Sequence, residues 1–379
     1  MKKVVFLSTM AFDANVSIIK RLKEKYDLYT LFLCNTSLNS LGDIKIDRYI
    51  QSVNEIAEFK PLNSFIDLNK CYLVQHYSPK SINRYLVALK VYKKISKINP
   101  DTIITDAPTF QYFLSRFLFR KKTIEIVHDP FPHSGENTFN LSFYNRIRRY
   151  ITQKFILLNE EQKNDFIKFH KINSKNVFTS FLSIYEFYSL FKTNNSIEEN
   201  NKFKILFFGR ISKYKGIEYL LEASKILLDR EQHNIQVTIA GKGDFHFDIN
   251  PYKKYKDIKF LQKHLDTGEM VQLITNSDII ICPYTDATQS GVIMTSYALD
   301  KPVIATNVGG LPEMLDYGKT GYLIPAKNTE KIVEAINNIL KNKSILENYI
   351  VNMHNIYHKG NKSWDVAVDK IVKCIESKA

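Results

Sequence analysis

Short apolar runs separated by longer amphipathic stretches punctuate the chain from its start. In the first half they are Val4–Thr9, Leu28–Cys34, Thr102–Thr105, Thr123–Val127, Phe155–Leu158 and Val177–Leu182. Several are rich in Val and Ile and lack strict alternation, as expected of strands covered on both faces. Between them lie helical stretches such as Ile82–Ser96, where Tyr85, Leu86, Leu89, Tyr92 and Ile95 share one face. Alternating strand and helix predicts a parallel sheet with helices on both sides. The polar segment 193–201, TNNSIEENN, reads as a linker. Beyond it the pattern restarts with Phe203–Phe208, followed by a glycine turn and a helix striped by Ile217, Leu220, Leu221, Ser224 and Leu228. Further strands are expected at Gln236–Ala240, Ile258–Leu261, Asp278–Cys282 and Pro302–Thr306, with a helix at Thr329–Lys341. The prediction is an α/β protein of two doubly wound, Rossmann-like domains, with ligands beyond the C-terminal strand ends and in a cleft between the domains.

Composition narrows the class. With 379 residues and 44% apolar content, the chain can build two cores. No stretch approaches the roughly 18 apolar residues a membrane-spanning helix needs. The start, Met1-Lys2-Lys3 and then Val4-Val5-Phe6-Leu7, has the outline of a signal peptide. Its apolar run stops at Ser8 with Asp13 close behind, so a buried first strand is expected instead. The four scattered cysteines form no C-x-x-C pair, which suits free thiols in a reducing cytoplasm.

The net charge of +14 is unevenly placed. Residues 1–195 hold 29 Lys/Arg against 17 Asp/Glu, and residues 196–379 hold 24 against 22. Two basic aromatic stretches, Phe110–Lys122 and Phe143–Lys154, contribute to the excess, with Arg116, Arg120, Lys121 and Lys122 beside Phe113, Phe117 and Phe119, and Arg146, Arg148 and Arg149 in the second. No nucleic-acid recognition motif accompanies them. The expected partner is an anionic membrane surface, contacted peripherally from its cytoplasmic side.

The strongest chemical signal is Phe208-Gly209-Arg210-Ile211-Ser212-Lys213-Tyr214-Lys215-Gly216. A strand ends at Gly209, and two cations flank a loop that opens the next helix. Glycines there let a backbone approach a ligand, so Arg210 and Lys215 suit a diphosphate. Downstream stand Val237-Thr238-Ile239-Ala240-Gly241-Lys242-Gly243-Asp244, then Lys301 through Glu313 (KPVIATNVGGLPE) and Gly318 through Pro325 (GKTGYLIP).

In this order and spacing, residues 203–340 resemble the donor domain of the retaining GT-B glycosyltransferases of family four, the glycosyltransferases group 1. The first half is similar only in architecture and in a few residues. The resemblance implies an acceptor-binding domain over 1–195, a donor-binding domain over 202–360, and a helix over 361–379, opened by Ser363-Trp364, that crosses back to the first domain. It implies a transferase moving sugar from a nucleoside-diphosphate sugar to a glycan or lipid-linked acceptor, in surface polysaccharide biosynthesis. Arg210 and Lys215 would stabilise the leaving diphosphate; Gly209, Gly241 and Lys242 would lie near the nucleotide, and His264 and Leu265 near the base. His128, after the strand Thr123–Val127, would orient an acceptor or donor hydroxyl as the third catalytic residue, with His133 and Glu136 lining the acceptor pocket. No D-x-D pair occurs in the sequence, so neither a metal nor another cofactor is expected.

The sequence departs from the family's pair of glutamates with seven residues between them; Ala287 and Thr295 stand there. Ser290, Gly291 and Val292 can still offer backbone N–H groups at a helix start, Gln289 a hydrogen bond to sugar hydroxyls, Thr295 one to a ribose hydroxyl, and Asp286 a displaced carboxylate. Two alternatives stand beside the transferase: a sugar-nucleotide epimerase of the same fold, and a catalytically silent binding subunit, which the two missing carboxylates favour.

Overall fold

The computed structural model describes residues 1–9, 12–34, 44, 46–106, 109–128, 130–131, 147–193, 201–230 and 234–377. The chain divides into two compact units, Met1–Ser183 with Lys362–Ala379, and Ile184–Asn361. The first crossing therefore comes at Ser183/Ile184 rather than after residue 195, because Tyr185 N–H already bonds Met294 O at 3.2 Å inside the second unit. Of the expected linker, 194–200 lies outside the described residues.

The first unit is built on an eight-stranded sheet in the order β3-β4-β2-β1-β5-β6-β7-β8. Its strands are β1 (Lys3–Ser8), β2 (Asp27–Cys34), β3 (Ile50–Ser52), β4 (Cys71–Gln75), β5 (Thr102–Thr105), β6 (Thr123–Val127), β7 (Lys154–Leu157) and β8 (Val177–Thr179). All neighbours are parallel except β3, which runs antiparallel to β4. Val4, Val5, Phe6 and Leu7 are fully buried, so β1 has both faces covered, as its unalternating sequence requires. Each such side chain contributes roughly 1.5–3 kcal/mol on burial.

The helix expected over Ile82–Ser96 forms at Asn83–Ile98, but its buried stripe is Val87, Ala88, Val91, Ile95 and Ile98. Tyr85, Leu86 and Leu89 are exposed. The two stripes are one position out of phase, and the smaller β-branched side chains are the ones packed on the sheet. The last helix, Trp364–Glu376, belongs to this first unit. Trp364 is 1% exposed, Arg21 Nε meets Asp365 at 2.6 Å, and Lys154 Nζ donates to Cys374 O at 3.0 Å.

A buried charge cluster replaces one of the basic surfaces read from the sequence. Glu125 on β6 takes Arg116 at 2.7 Å and Arg148 at 2.6 Å, and Thr152 Oγ1 donates to it at 3.1 Å. Arg116 and Arg148 thus neutralise a core carboxylate and do not face solvent. What remains outside is Phe117, Leu118, Arg120, Lys121, Lys122 and Arg149. Arg146 lies outside the described residues.

The second unit holds a six-stranded, all-parallel sheet in the order β11-β10-β9-β12-β13-β14. Its strands are β9 (Phe203–Phe208), β10 (Ile235–Ala240), β11 (Ile258–Leu261), β12 (Ile279–Cys282), β13 (Val303–Thr306) and β14 (Gly321–Ile324). The chain order reverses between β9 and β12, which pair at Ile205↔Ile279 and Leu206↔Ile280. In the first sheet the same reversal falls between β1 and β5. Crevices at such reversals, beyond the C-terminal strand ends, are where open α/β sheets bind ligands. All four cysteines are free and buried. Among the described residues no helix is long and apolar enough to cross a membrane.

Candidate functional site

The reversal point of the second sheet carries the loop singled out by sequence. β9 ends at Phe208, Gly209 takes φ +120°, and Gly216 at φ +63° starts the helix Ile217–Asp229. A side chain at Gly216 would place its Cβ 2.0 Å from the carbonyl oxygen of Pro283, just after β12. Only glycine allows the loop to close against that strand end. Arg210 is exposed, with Nη2 3.5 Å from the Tyr214 hydroxyl. Lys215 is 8% exposed, its Nζ lying over the Tyr284 ring. Burial pulls the Lys215 ammonium below the ordinary lysine value, with Tyr214 opposing. Burial alone would raise Tyr214; the charges of Lys215 and Arg210 outweigh it and hold the phenol below its usual value. Ser212 Oγ is buried in this loop without a hydrogen-bond partner among the described residues. Two cations close enough to act on each other's charge, in a loop that also holds an unmatched hydroxyl, suit an oxyanion ligand.

The neighbouring loops brace it. Gly209 N–H bonds Ala240 O at 3.0 Å, Ile211 N–H bonds Lys242 O at 2.8 Å, and Gly241 N–H bonds Leu261 O at 3.0 Å. Lys242 is exposed beside this ladder. Gln262 Nε2 donates to Gly243 O at 2.8 Å, which carries the exposed His264 and half-buried Leu265 to the same end of the sheet.

The helix Gly291–Ala298 starts next to this loop: a Cβ on Gly209 would lie 3.4 Å from Val292 Cγ2. Gln289 is half-buried just before it. Two expectations change here. Thr295 is 4% exposed and its hydroxyl donates to Gly291 O at 2.8 Å, so it serves its own helix rather than reaching outward to a ribose. Ser290 N–H faces Met314 Sδ at 3.3 Å and its hydroxyl lies 3.4 Å from Tyr284 OH, so of the three residues expected to offer an N–H group Ser290 is already engaged. Ala287 is buried, its carbonyl oxygen 1.6 Å from where a Gly309 Cβ would stand. The structure adds Tyr185, whose ring packs 3.1 Å from a Cβ placed on Gly291. No spacing rule connects these two residues.

The first sheet has its own cluster, at its own reversal point. His128 follows β6, and its Nε2 is buried without a partner among the described residues. Asp106, directly after β5, was not singled out from the sequence. Its carboxylate accepts from Thr9 N–H at 2.8 Å, from Thr9 Oγ1 at 3.2 Å and from Asn15 Nδ2. Asn15 Oδ1 is likewise buried without a partner. Burial raises the Asp106 carboxyl above the usual value, against the lowering charge of His128 and its three donors. The signal in the sequence was the polar ending of two apolar runs, Ser8-Thr9 and Asp106, at adjacent strands. His133, Glu136 and Asp129 lie outside the described residues.

Comparison with known proteins agrees with this geometry. A family model described as Glycosyl transferases group 1 matches residues 202–342. The chain is 29% identical over 184 residues to the Uncharacterized glycosyltransferase MJ1607 of Methanocaldococcus jannaschii, covering 46% of this chain and 45% of that one. It is 26% identical over 166 residues to the Capsular polysaccharide biosynthesis glycosyltransferase CapM of Staphylococcus aureus, covering 41% and 42%. The match spans less than half the length of either relative. Among solved structures, Alr3699/HepE of Anabaena in complex with UDP and glucose superposes with a TM-score of 0.70 at 16% identity, covering 100% of each chain.

Proposed function

We propose that this member of the group 1 glycosyl transferases, a chain of GT-B fold, moves a sugar from a nucleoside-diphosphate sugar to a glycan or lipid-linked acceptor, with retention at the anomeric carbon. One observation carries the reading: Arg210 and Lys215 meet at the Tyr214 side chain, in the glycine-bounded loop at the reversal point of the second sheet. Cleavage of the glycosidic bond builds positive charge on the sugar carbon and negative charge on the leaving diphosphate. Fixed cations aimed at that phosphate lower the barrier, most effectively where water is scarce. Lys215 is held in such a place. The N–H groups of Gly291 and Val292 add a helix start to the same end of the sheet. In the first unit, His128 and Asp106 form a polar pair suited to orienting a hydroxyl.

The diphosphate clamp is made of Arg and Lys, and the sequence holds no D-x-D pair; turnover therefore proceeds without a divalent metal. The name of the Staphylococcus aureus relative supports a role in surface polysaccharide assembly, and the ligands named for the Anabaena protein support a nucleoside-diphosphate sugar as donor. The exposed Phe117, Leu118, Arg120, Lys121 and Lys122 suit work at the cytoplasmic face of an anionic membrane, where lipid-linked acceptors reside.

The test is incubation with a panel of nucleotide sugars, with and without glycan and lipid-linked acceptors, in EDTA. Acceptor-dependent release of nucleoside diphosphate supports the reading. Interconversion of sugar nucleotides without release identifies an epimerase, and binding without either reaction identifies a silent subunit.

A further inference from the structure

The second unit holds a cluster of ligand-type side chains away from the loop after β9. The helix Ser344–Met353 ends in one π-helical turn, His354–His358. Such turns are rare and recur at functional sites. This one stacks the two imidazoles, with ring centroids 4.3 Å apart and planes 21° from parallel. Facing them is Asp300, in the turn between the helix Gly291–Ala298 and β13, its backbone in the left-handed region at φ +59°. Asp300 Oδ1 lies 3.0 Å from His354 Nε2. One donor atom from each of the three residues lies within 4.8 Å of the other two. His358 Nε2 is buried and has no hydrogen-bond partner among the described residues.

We propose that Asp300, His354 and His358 bind one divalent transition metal of the zinc class. Two imidazole nitrogens and one carboxylate oxygen supply three ligands, with solvent in the fourth position. The donor set decides the class. Imidazole suits Zn²⁺, Ni²⁺ and Cu²⁺, whereas Ca²⁺ and Mg²⁺ call for oxygen ligands throughout. Metal–nitrogen bonds of about 2.0–2.1 Å around a tetrahedral ion set ligand atoms roughly 3.3–3.4 Å apart. The Asp300–His354 pair is already near that separation, and the third donor atom lies within 4.8 Å of both, so binding turns the His358 ring out of its stack on His354. The unpartnered His358 nitrogen gains a partner on binding.

The surroundings fit a metal of moderate affinity. Lys192 Nζ meets Asp300 Oδ2 at 2.9 Å, fixing the carboxylate so that Oδ1 faces the imidazoles. Its charge opposes the metal's, while Glu186, close enough to act electrostatically on His358, offsets it. Asp300 stands before the N-terminal end of β13, at the opposite end of the strands from Gly209 and Arg210. The metal therefore has no part in the chemistry proposed above and does not rest on it. It would fasten the turn at Asp300 to the segment that precedes the crossing at Asn361/Lys362. Lys192, which follows the crossing at Ser183/Ile184, is held to the same carboxylate. The site is thus a clip on both segments that connect the second unit to the first, and a ligand that binds only the folded state raises its stability.

The test uses the full chain without an affinity tag, stripped of metal. Co²⁺ is titrated while visible absorption is followed, then displaced with Zn²⁺, and thermal unfolding is recorded with and without Zn²⁺. One Co²⁺ per chain should give a d–d spectrum without thiolate charge transfer, and one Zn²⁺ should displace it and raise the unfolding midpoint. H358Q and D300N should each weaken binding at least tenfold and abolish the Zn²⁺-induced shift. Their metal-free unfolding midpoints, matched to that of the unmodified chain, serve as the folding control; D300N changes a partly exposed side chain and keeps its shape. No saturable Co²⁺ binding, or binding unchanged in both variants, overturns the site and leaves an Asp–His hydrogen bond.

Discussion

Lys215 Nζ lies 3.6 Å from the centroid of the Tyr284 ring and 4.9 Å from that of Tyr214. Burial of the ammonium at the loop after β9 lowers its proton affinity, with Tyr214 opposing, so its charge is lost at a lower pH than for an ordinary lysine, about 10.4. The alkaline limb of kcat/KM should therefore fall below that value. The stability slope has the opposite sense. Because the unfolded chain binds this proton more tightly, folding gains from Lys215 as pH rises from its folded to its unfolded value. Activity lost at alkaline pH while the unfolding midpoint holds supports this assignment; loss of both together contradicts it.

Gly241 sits at φ +152°, and a Cβ there would stand 1.8 Å from the Gly209 carbonyl oxygen. Gly241→Ala should cost about 1–3 kcal/mol for backbone strain alone, and more as the two loops part. Gly268 provides the contrast, since its Cβ would meet only Asp266 Oδ1, at 3.4 Å inside a helix. Gly268→Ala should be neutral or stabilise by up to about 1 kcal/mol. Urea midpoints of the two variants decide the point, with nucleoside diphosphate affinity reduced only for Gly241→Ala.

Asp106 ties the ends of β1 and β5 together through Thr9 and Asn15, and His128 stands beside it with an unpartnered ring nitrogen. Asp106→Ala should lower both stability and turnover. Asp106→Asn should keep most of the stability but lose at least tenfold in turnover. Its folded carboxyl value lies above the unfolded one, so the residue's contribution to stability grows as pH falls through the folded value toward the unfolded one, about 3.9. Asp106→Asn should remove that part of the acid slope, measurable by comparing the two proteins' unfolding midpoints as pH is lowered from neutral toward the unfolded value.

Much of the fold was legible in the sequence because parallel strands buried on both faces leave an unmistakable run of Val and Ile. Thr102–Thr105, Thr123–Val127, Ile258–Leu261 and the helix Thr329–Lys341 form with the expected ends. The phase of the helix Asn83–Ile98 was not legible, since Tyr85, Leu86 and Leu89 are as apolar as the Val87–Val91 face that packs. Arg116 and Arg148 looked like surface charges because their partner, Glu125, comes near them only through the sheet. The loop proposed to hold the diphosphate was visible since its cations and glycines are contiguous. Asp106 and Tyr185 were not, because each meets its partners from distant parts of the chain.

The basic surface of the first unit is now a smaller one. Replacing Arg120, Lys121 and Lys122 with Gln should weaken binding to vesicles containing anionic lipid by roughly 1 kcal/mol per charge, and more salt should weaken it in the unmodified chain. Nucleoside diphosphate affinity should not change. Equal binding to neutral and anionic vesicles, indifferent to salt, would rule out the electrostatic contact. Arg116→Gln is a different experiment: it leaves Glu125 short of a buried partner and should cost about 3–5 kcal/mol in stability.

The proposed diphosphate site is tested most directly by calorimetric titration of nucleoside diphosphates, in EDTA, into the unmodified chain and into Arg210→Ala and Lys215→Ala. A charged hydrogen bond contributes about 1.5–3 kcal/mol, and each 1.4 kcal/mol is about tenfold in affinity. The account predicts saturable binding of at least one nucleoside diphosphate, weakened about tenfold or more in each variant, with unfolding midpoints unchanged. Binding of equal strength in all three proteins, or binding that appears only when a divalent metal is supplied, would contradict it.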